Sequence, residues 1–256
     1  MKNLDTDCQK TWCPGCPDFA ILQAIKNAVS NLAEKGTKKE NIAFTTGIGC
    51  HGKTFDYLNL NSFYCLHGRA IPLSGGIKLA NPNLKVMALV GDGDVYNEGL
   101  SHLLHAARRN IDISVLVFNN RNFALTVSQF SAVSPKGFVG SSTPKGSPEE
   151  PFNPLKLVFS AGGSFIARGY ALKADHLRNL IVKAVEHKGF SFLEILQPCI
   201  TFFDNRKFYQ EKIYQLENHD FLSKEKALEK IREWDYENSN GKIPLGIFYQ
   251  AEKPVF

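Results

Sequence analysis

Residues 87–123 read "MALVGDGDVYNEGLSHLLHAARRNIDISVLVFNNRNF". An apolar run stops at Gly91-Asp92-Gly93, a helical pattern covers 97–110, and a second apolar run, "ISVLVF" (113–118), ends in Asn119-Asn120. Neither run alternates cleanly, the mark of strands buried on both faces. The same texture extends outward on both sides. Short β-like runs recur at "IAFTT" (42–46), "FYCL" (63–66), "KVMALV" (85–90), "SFIARG" (164–169) and "FLEIL" (192–196). Helical patterns lie between several of them, at 174–189 and over the stretch from Asp18, read as an N-cap, to a stop at Gly36. Strands alternating with helices predict an α/β fold, a mostly parallel sheet with helices on both faces.

In open α/β sheets ligands bind beyond the carboxyl ends of the strands. Glycines there let the backbone approach a phosphate, and a helix N-terminus favours its charge. Asp92 in the middle of such a cradle repels a phosphate unless a cation lies between them. Mg²⁺ suits, being a hard ion often held by one or two protein oxygens and substrate phosphates. Asn120 follows Asp92 by 28 positions. One α/β unit separates them, so both arrive at the same sheet edge, where Asn120 offers a side-chain oxygen and Asn122 a carbonyl.

The chain has 256 residues, 43% of them hydrophobic, enough for one large domain or two small ones. It has no run of eighteen apolar residues and no apolar leader at "MKNLDTDCQKTW", so a cytoplasmic protein is expected, without a membrane span. In that reducing compartment the pair Cys13 and Cys16, in "WCPGCPDF", reads as a metal or redox site rather than half of a disulfide. No second C-x-x-C follows at zinc-ribbon spacing. Net charge is +5, and the excess lies before Asn205, since the remainder carries nine Lys/Arg and nine Asp/Glu. A basic surface steers acidic partners, although ordinary solubility charge looks the same. Two segments stand apart: residues 130–154, with five prolines, three glycines and no periodicity, and a tail from Asn205 with a helix candidate (223–234) and "IPLGIFY" (243–249). So long a structureless loop is usually functional, partner-covered or disordered.

GDG followed after 25 to 30 residues by NN resembles the thiamine diphosphate signature, in which Asp, Asn and a backbone carbonyl hold Mg²⁺. Around it, "GIGCHGK", "LHGRAIPLSGGIKLANPNLKV", "GDGD" and "HAARRNIDISVLVFNN" are similar to the β subunit of 2-oxoacid:ferredoxin oxidoreductases, from about Thr11 to Phe203. The resemblance implies a thiamine diphosphate-binding fold, its diphosphate-binding half, over residues 1–204. Residues 205–256 would then be an extension docking on the core or on a partner. It implies Mg²⁺ on Asp92, Asn120 and Asn122, and cofactor contacts from Gly49, His67, Gly91, Gly93, Asp94, Leu125 and Thr126. It also implies one [4Fe–4S] cluster on Cys13, Cys16, Cys50 and Cys199, for which a zinc site or scattered buried thiols are the plainer reading. Cys8 and Cys65 match no ligand, and Cys65 sits in an apolar run as a core residue would.

The activity so implied is oxidative decarboxylation of a 2-oxoacid to acyl-coenzyme A and CO₂, with electrons passing through the cluster to ferredoxin. An α subunit holding the other half of the cofactor would be required, and neither nucleic acid nor a membrane is an expected partner. Lys53 is the candidate for the substrate carboxylate, a surface lysine its alternative. Leu125 would lie beneath the bent cofactor, or be a plain core leucine; His67 would reach a diphosphate oxygen, or be structural. The sequence departs from the family at Pro17, over Val95–Leu100 and at Val127, where "FALTVSQ" replaces "YGLTKGQ". Val95, Asn97, Glu98 and Val127 are accordingly expected at the active-site edge. A nonredox thiamine diphosphate lyase or ligase subunit and a catalytically retired electron-transfer subunit are the alternatives.

Overall fold

The run "KVMALVG" forms β3 (Lys85–Gly91), and its side chains divide by parity between two layers. Val86, Ala88 and Val90 enter one core, and Met87 and Leu89 the other. A strand with both faces apolar has to be covered on both, and so it is. The computed structural model describes residues 4–236 and 241–256. Its other strands are β1 (Ile42–Thr46), β2 (Asn61–Tyr64), β4 (Ser114–Asn119), β5 (Phe165–Tyr170), β6 (Ser191–Leu196), β7 (Ile213–Gln215) and β8 (Ile243–Gln250). They make one sheet in the order β2-β1-β3-β4-β6-β5-β8-β7. The first six run parallel, β8 pairs antiparallel with β5, and β7 pairs parallel with β8.

On one face lie α1 (Asp18–Glu34) and α6 (Ala174–Glu186), packed on each other. The apolar stripe of α1, from Ile21 through Ile25 and Val29 to Leu32, is buried there. The helix stops at Gly36, whose φ of +96° allows Thr37 N–H to reach the Leu32 carbonyl. Asp18 is not the cap. Pro17 already has helical φ and ψ and accepts from Ile21 N–H, so Asp18 is the first helical residue and its carboxylate makes no capping bond.

The other face carries α3 (Ala70–Ala80), α4 (Leu100–Arg109), α5 (Pro154–Ser160) and α8 (Lys224–Arg232). Short α2 (Thr54–Tyr57) and α7 (Arg206–Lys212) complete the set. Two expectations shift: the "FYCL" strand begins two residues early, at Asn61, and ends at Tyr64, and the helix after GDG opens as a π-helical turn, Gly93–Glu98, before α4. The glycine-containing "AIPLSGGIKLA", for which the sequence predicts no element, is helical. Single π turns are frequent at functional sites. No described helix is long and apolar enough to cross a membrane.

The residues from Asn205 do more than wrap the surface. Strand β8 adds to the main sheet, and Trp234 and Tyr236 are buried in its core. The proline-rich 130–154 segment has neither helix nor strand before α5, yet it is tied down. Gly137 N–H bonds the Ser147 carbonyl, Ser141 N–H the Ser128 carbonyl and Phe152 N–H the Ala132 carbonyl, while Phe138 packs edge-on against Phe203 at 5.3 Å.

Candidate active site

The carboxyl ends of four adjacent parallel strands converge. Beyond β1 come Gly47 to Lys53, beyond β3 Asp92 to Asp94, beyond β4 Asn120 to Thr126, and beyond β6 Gln197 to Cys199. Two adjoining clefts open there.

The first, of about 490 Å³, is lined by Gly49, His51, His67, Gly91 to Asp94, Asn120, Asn122, Leu125 and Thr126 among others. Its glycines are required by their neighbours. A Cβ on Gly93 would stand 2.4 Å from the Phe123 ring, and one on Gly91 2.6 Å from His51. Gly49 has a φ of +147°. Asp92 is buried, and burial pushes its carboxyl up to about 7, against the hydrogen bond that Ser131 Oγ donates at 2.5 Å. Asn120 Oδ1 accepts from Asn122 N–H at 3.1 Å, and Asn122 Oδ1 is buried with no hydrogen-bond partner.

Asp94 does a different job. Its carboxylate accepts from Gly68 N–H at 2.7 Å and Ile48 N–H at 3.3 Å, and His67 Nδ1 lies 3.2 Å away. Burial disfavours its charge, but these donors and His51 outweigh it and hold the carboxyl below its usual range. The same ion pair raises His67, whereas burial lowers His51 to about 4. Asp94 thus clamps the β1 and β2 loops together. Gly47 makes room for it, since a Cβ there would overlap Asp94 Oδ2 at 1.7 Å.

The second cleft, of about 660 Å³, is lined by Cys13, Cys16, Cys50, Cys199 and Lys53, with Trp12, Val127 and Phe202 among its apolar walls. Local structure brings the first pair there. Gly15, at φ +78°, turns the chain so that Cys16 N–H bonds the Cys13 carbonyl. Trp12 Nε1 donates to the Cys50 carbonyl at 2.7 Å, its ring edge-on to Tyr57 and Phe19. Among the described residues, no three His, Cys, Asp or Glu side chains converge tightly enough to hold a single metal ion. The four thiols line one cleft, a donor set of the kind that holds an iron–sulfur cluster with one iron on each thiolate. Burial, then Asp18, pushes Cys50 up to about 12 and Cys16 higher still, so neither is a thiolate without a metal cation beside it.

Cys50, Asn120, Ala124, Leu125 and Gln197 line both clefts. Leu125 is 48% exposed on this shared wall and is no core leucine. Lys53 faces the cysteine cleft and donates to the Thr11 carbonyl at 3.1 Å. Val127 lines that cleft too, with a φ of +64° unusual for a β-branched residue. Val95, Asn97 and Glu98 line neither cleft. Val95 is buried in the core, and Asn97 Oδ1 accepts from Ala132 N–H. Cys65 is buried in the core, and Cys8 is exposed.

Sequence reading missed three residues. Ser131, on Asp92, comes from the loop without periodicity. Gln197 approaches Cys16 Sγ at 3.9 Å and could have been suspected from its place between β6 and Cys199. Asp18 is wholly buried beside Cys16 with both oxygens unpartnered, and burial pushes its carboxyl up to about 7.

Glycine-lined backbone, a buried Asp and an Asn pair at one sheet edge define a domain of the thiamine-diphosphate class. In agreement, residues 47–195 match the family described as thiamine pyrophosphate enzyme, C-terminal TPP binding domain, and residues 199–256 match the C-terminal region of the pyruvate ferredoxin oxidoreductase beta subunit. The chain is 37% identical to subunit beta of 2-oxoacid:ferredoxin oxidoreductase 1 of Aeropyrum pernix, over 95% of this chain and 79% of that one. It is 38% identical to the 2-oxoacid:ferredoxin oxidoreductase subunit beta of Saccharolobus solfataricus, over 94% and 82%. A solved structure of 2-oxoglutarate:ferredoxin oxidoreductase from Magnetococcus marinus, with 2-oxoglutarate, coenzyme A and succinyl-CoA bound, superposes with a TM-score of 0.92 at 32% identity, over 98% of this chain and 85% of that one. The chain belongs to the family of 2-oxoacid:ferredoxin oxidoreductase β subunits.

Proposed function

We propose that this chain is the diphosphate-binding, electron-carrying half of a coenzyme A-dependent 2-oxoacid:ferredoxin oxidoreductase, working in the cytoplasm with an α subunit. Residues 1–204 are the cofactor domain and residues 205–256 an extension docked on it. The observation that carries this reading is the wall shared by the two clefts, which sets a hard-oxygen site beside four thiols.

The donors fit the groups. Asp92 is a buried carboxylate whose charge burial disfavours, and the orphaned Asn122 Oδ1 lies in the same cleft. A divalent cation would compensate both. Asp92, Asn120 and the Asn122 carbonyl would hold Mg²⁺, with Gly49, Gly91 and Gly93 admitting the diphosphate and His67, Asp94 and Thr126 shaping its pocket. Cys13, Cys16, Cys50 and Cys199 would hold a [4Fe–4S] cluster. When bound, thiamine diphosphate supplies an electron sink for decarboxylation and the cluster a one-electron acceptor. Each turnover converts 2-oxoacid and coenzyme A to acyl-coenzyme A and CO₂, releasing a proton and passing two electrons singly to ferredoxin.

The chain's own residues orient and shield. Lys53 presents its ammonium to the substrate carboxylate at the mouth of the cysteine cleft. Leu125, on the wall between the sites, would lie beneath the bound cofactor, and Val127 lines the cysteine cleft. The test is anaerobic purification with the α partner, followed by iron and sulfide analysis, low-temperature EPR after dithionite, and ferredoxin reduction with a panel of 2-oxoacids. About four irons per chain, an S = 1/2 signal and acid-dependent ferredoxin reduction are expected. An EPR-silent, zinc-containing protein would overturn the redox reading.

A further inference from the structure

Beneath the cofactor cleft lies a polar group that the mechanism above does not use. Glu194, in β6, is completely buried. One of its oxygens accepts from Arg168 Nε at 2.8 Å; on the other converge Asn119 Nδ2 at 2.8 Å, the Tyr96 hydroxyl at 3.3 Å and the Tyr236 hydroxyl. Tyr236 comes from the C-terminal segment and stacks on Trp234 at 4.0 Å. Asn119 is the last residue of β4, directly before the turn Asn120–Asn122.

That turn is built to be held from behind. Asn119 Oδ1 accepts from Arg121 N–H, and Asn120 Oδ1 from Asn122 N–H, each at 3.1 Å. Between them Arg121 has a φ of +59°, a left-handed conformation costly for a residue with a Cβ. Surroundings must over-determine such a residue for it to persist. Here they do: the buried Arg121 guanidinium lies 5.4 Å from the Tyr236 ring and 5.6 Å from that of Trp234, and its Nε donates to the Val133 carbonyl at 2.8 Å. Tyr236 therefore touches the turn twice, by its hydroxyl through Glu194 and Asn119 and by its ring through Arg121.

We infer that Tyr236 is a positioning residue for the cofactor site, by which the C-terminal segment sets the Asn120–Asn122 turn in the geometry that receives Mg²⁺ and the diphosphate. The inference rests on the function proposed above. Groups behind a metal ligand typically control affinity by about 10- to 100-fold.

The test compares thiamine diphosphate affinity, by titration calorimetry at fixed Mg²⁺, in purified complexes with the α subunit. Tyr236→Phe, which keeps the ring, is expected to bind at least about tenfold more weakly with its iron–sulfur EPR signal unchanged. Asn119→Ala should shift affinity the same way and serves if the first variant folds poorly. Tyr209→Phe removes another buried hydroxyl of the same aromatic group, one that makes no bond to Glu194, and should stay within about twofold of wild type. Wild-type affinity in Tyr236→Phe, or an equal loss in Tyr209→Phe, would overturn the inference. A wild-type complex that binds no thiamine diphosphate would overturn the proposed function, and the inference with it.

Discussion

Asp92 and Asp94 stand two residues apart in one motif and do unlike work because their donors differ. Gly68 N–H, Ile48 N–H and His67 all meet one oxygen of Asp94, Oδ1, and make it a structural clamp. Asp92 accepts from Ser131 and from backbone N–H groups of its own loop and of Asn120, yet burial still outweighs them and raises its carboxyl, so a cation beside it would stabilise its charge. Ser131→Ala should therefore weaken Mg²⁺–thiamine diphosphate binding by roughly 10-fold with little change in fold, checked by calorimetry alongside circular dichroism. Gly47→Ala should be far worse. Its Cβ would overlap a carboxylate that two backbone donors hold in place, and overpacking typically costs about 1–3 kcal/mol or more. A lowered melting temperature with lost cofactor binding is the expected result.

Helix α1 begins two residues after Cys16, so its seating fixes where the first cysteine pair lies. Its buried stripe was legible from spacing alone, because a 3.6-residue period needs no knowledge of the partner surface. Ile25 is fully buried against the sheet, and Ile25→Ala should destabilise the protein by about 2–5 kcal/mol in denaturant titration. Trp12, which ties the N-terminal segment to the Cys50 carbonyl, makes the complementary case. Trp12→Phe keeps most of the packing and loses the hydrogen bond. It should cost only about 1 kcal/mol and, if the four cysteines hold the cluster proposed above, speed iron release to a chelator, followed by loss of visible absorbance. The 130–154 segment was not legible at this scale. Its order comes from bonds such as Ser131 to Asp92, between residues 39 positions apart, and no local period announces such a contact.

Across the whole molecule the tail closes what the core leaves open. Strand β5 would be an apolar sheet edge without β8, and exposed edges of that kind pair with other chains. A chain ending before Ile243 should aggregate, seen as loss of soluble protein and of the single peak in size-exclusion chromatography. The same tail supplies Trp234 and Tyr236 to the block behind the cofactor turn, so a shorter chain, ending before Trp234, should also lose thiamine diphosphate affinity in whatever protein remains soluble.

The alternation of strands and helices, the parallel class of the sheet, and the spacing of Asp92 from Asn120 are all legible in the chain alone. These follow from burial periods and turn residues that act over a few positions. The tertiary structure alone decided the antiparallel seat of β8, the helix over the glycine-containing 70–80 segment, and the burial of Asp18 as something other than a cap. It also decided that Val95 faces the core while Val127 faces the cysteines, and that Ser131 and Gln197 join the site. Each depends on which distant surface a residue meets, and packing overrides local preference wherever burying a side chain or satisfying a buried polar atom is worth more than a propensity difference of well under about 1 kcal/mol.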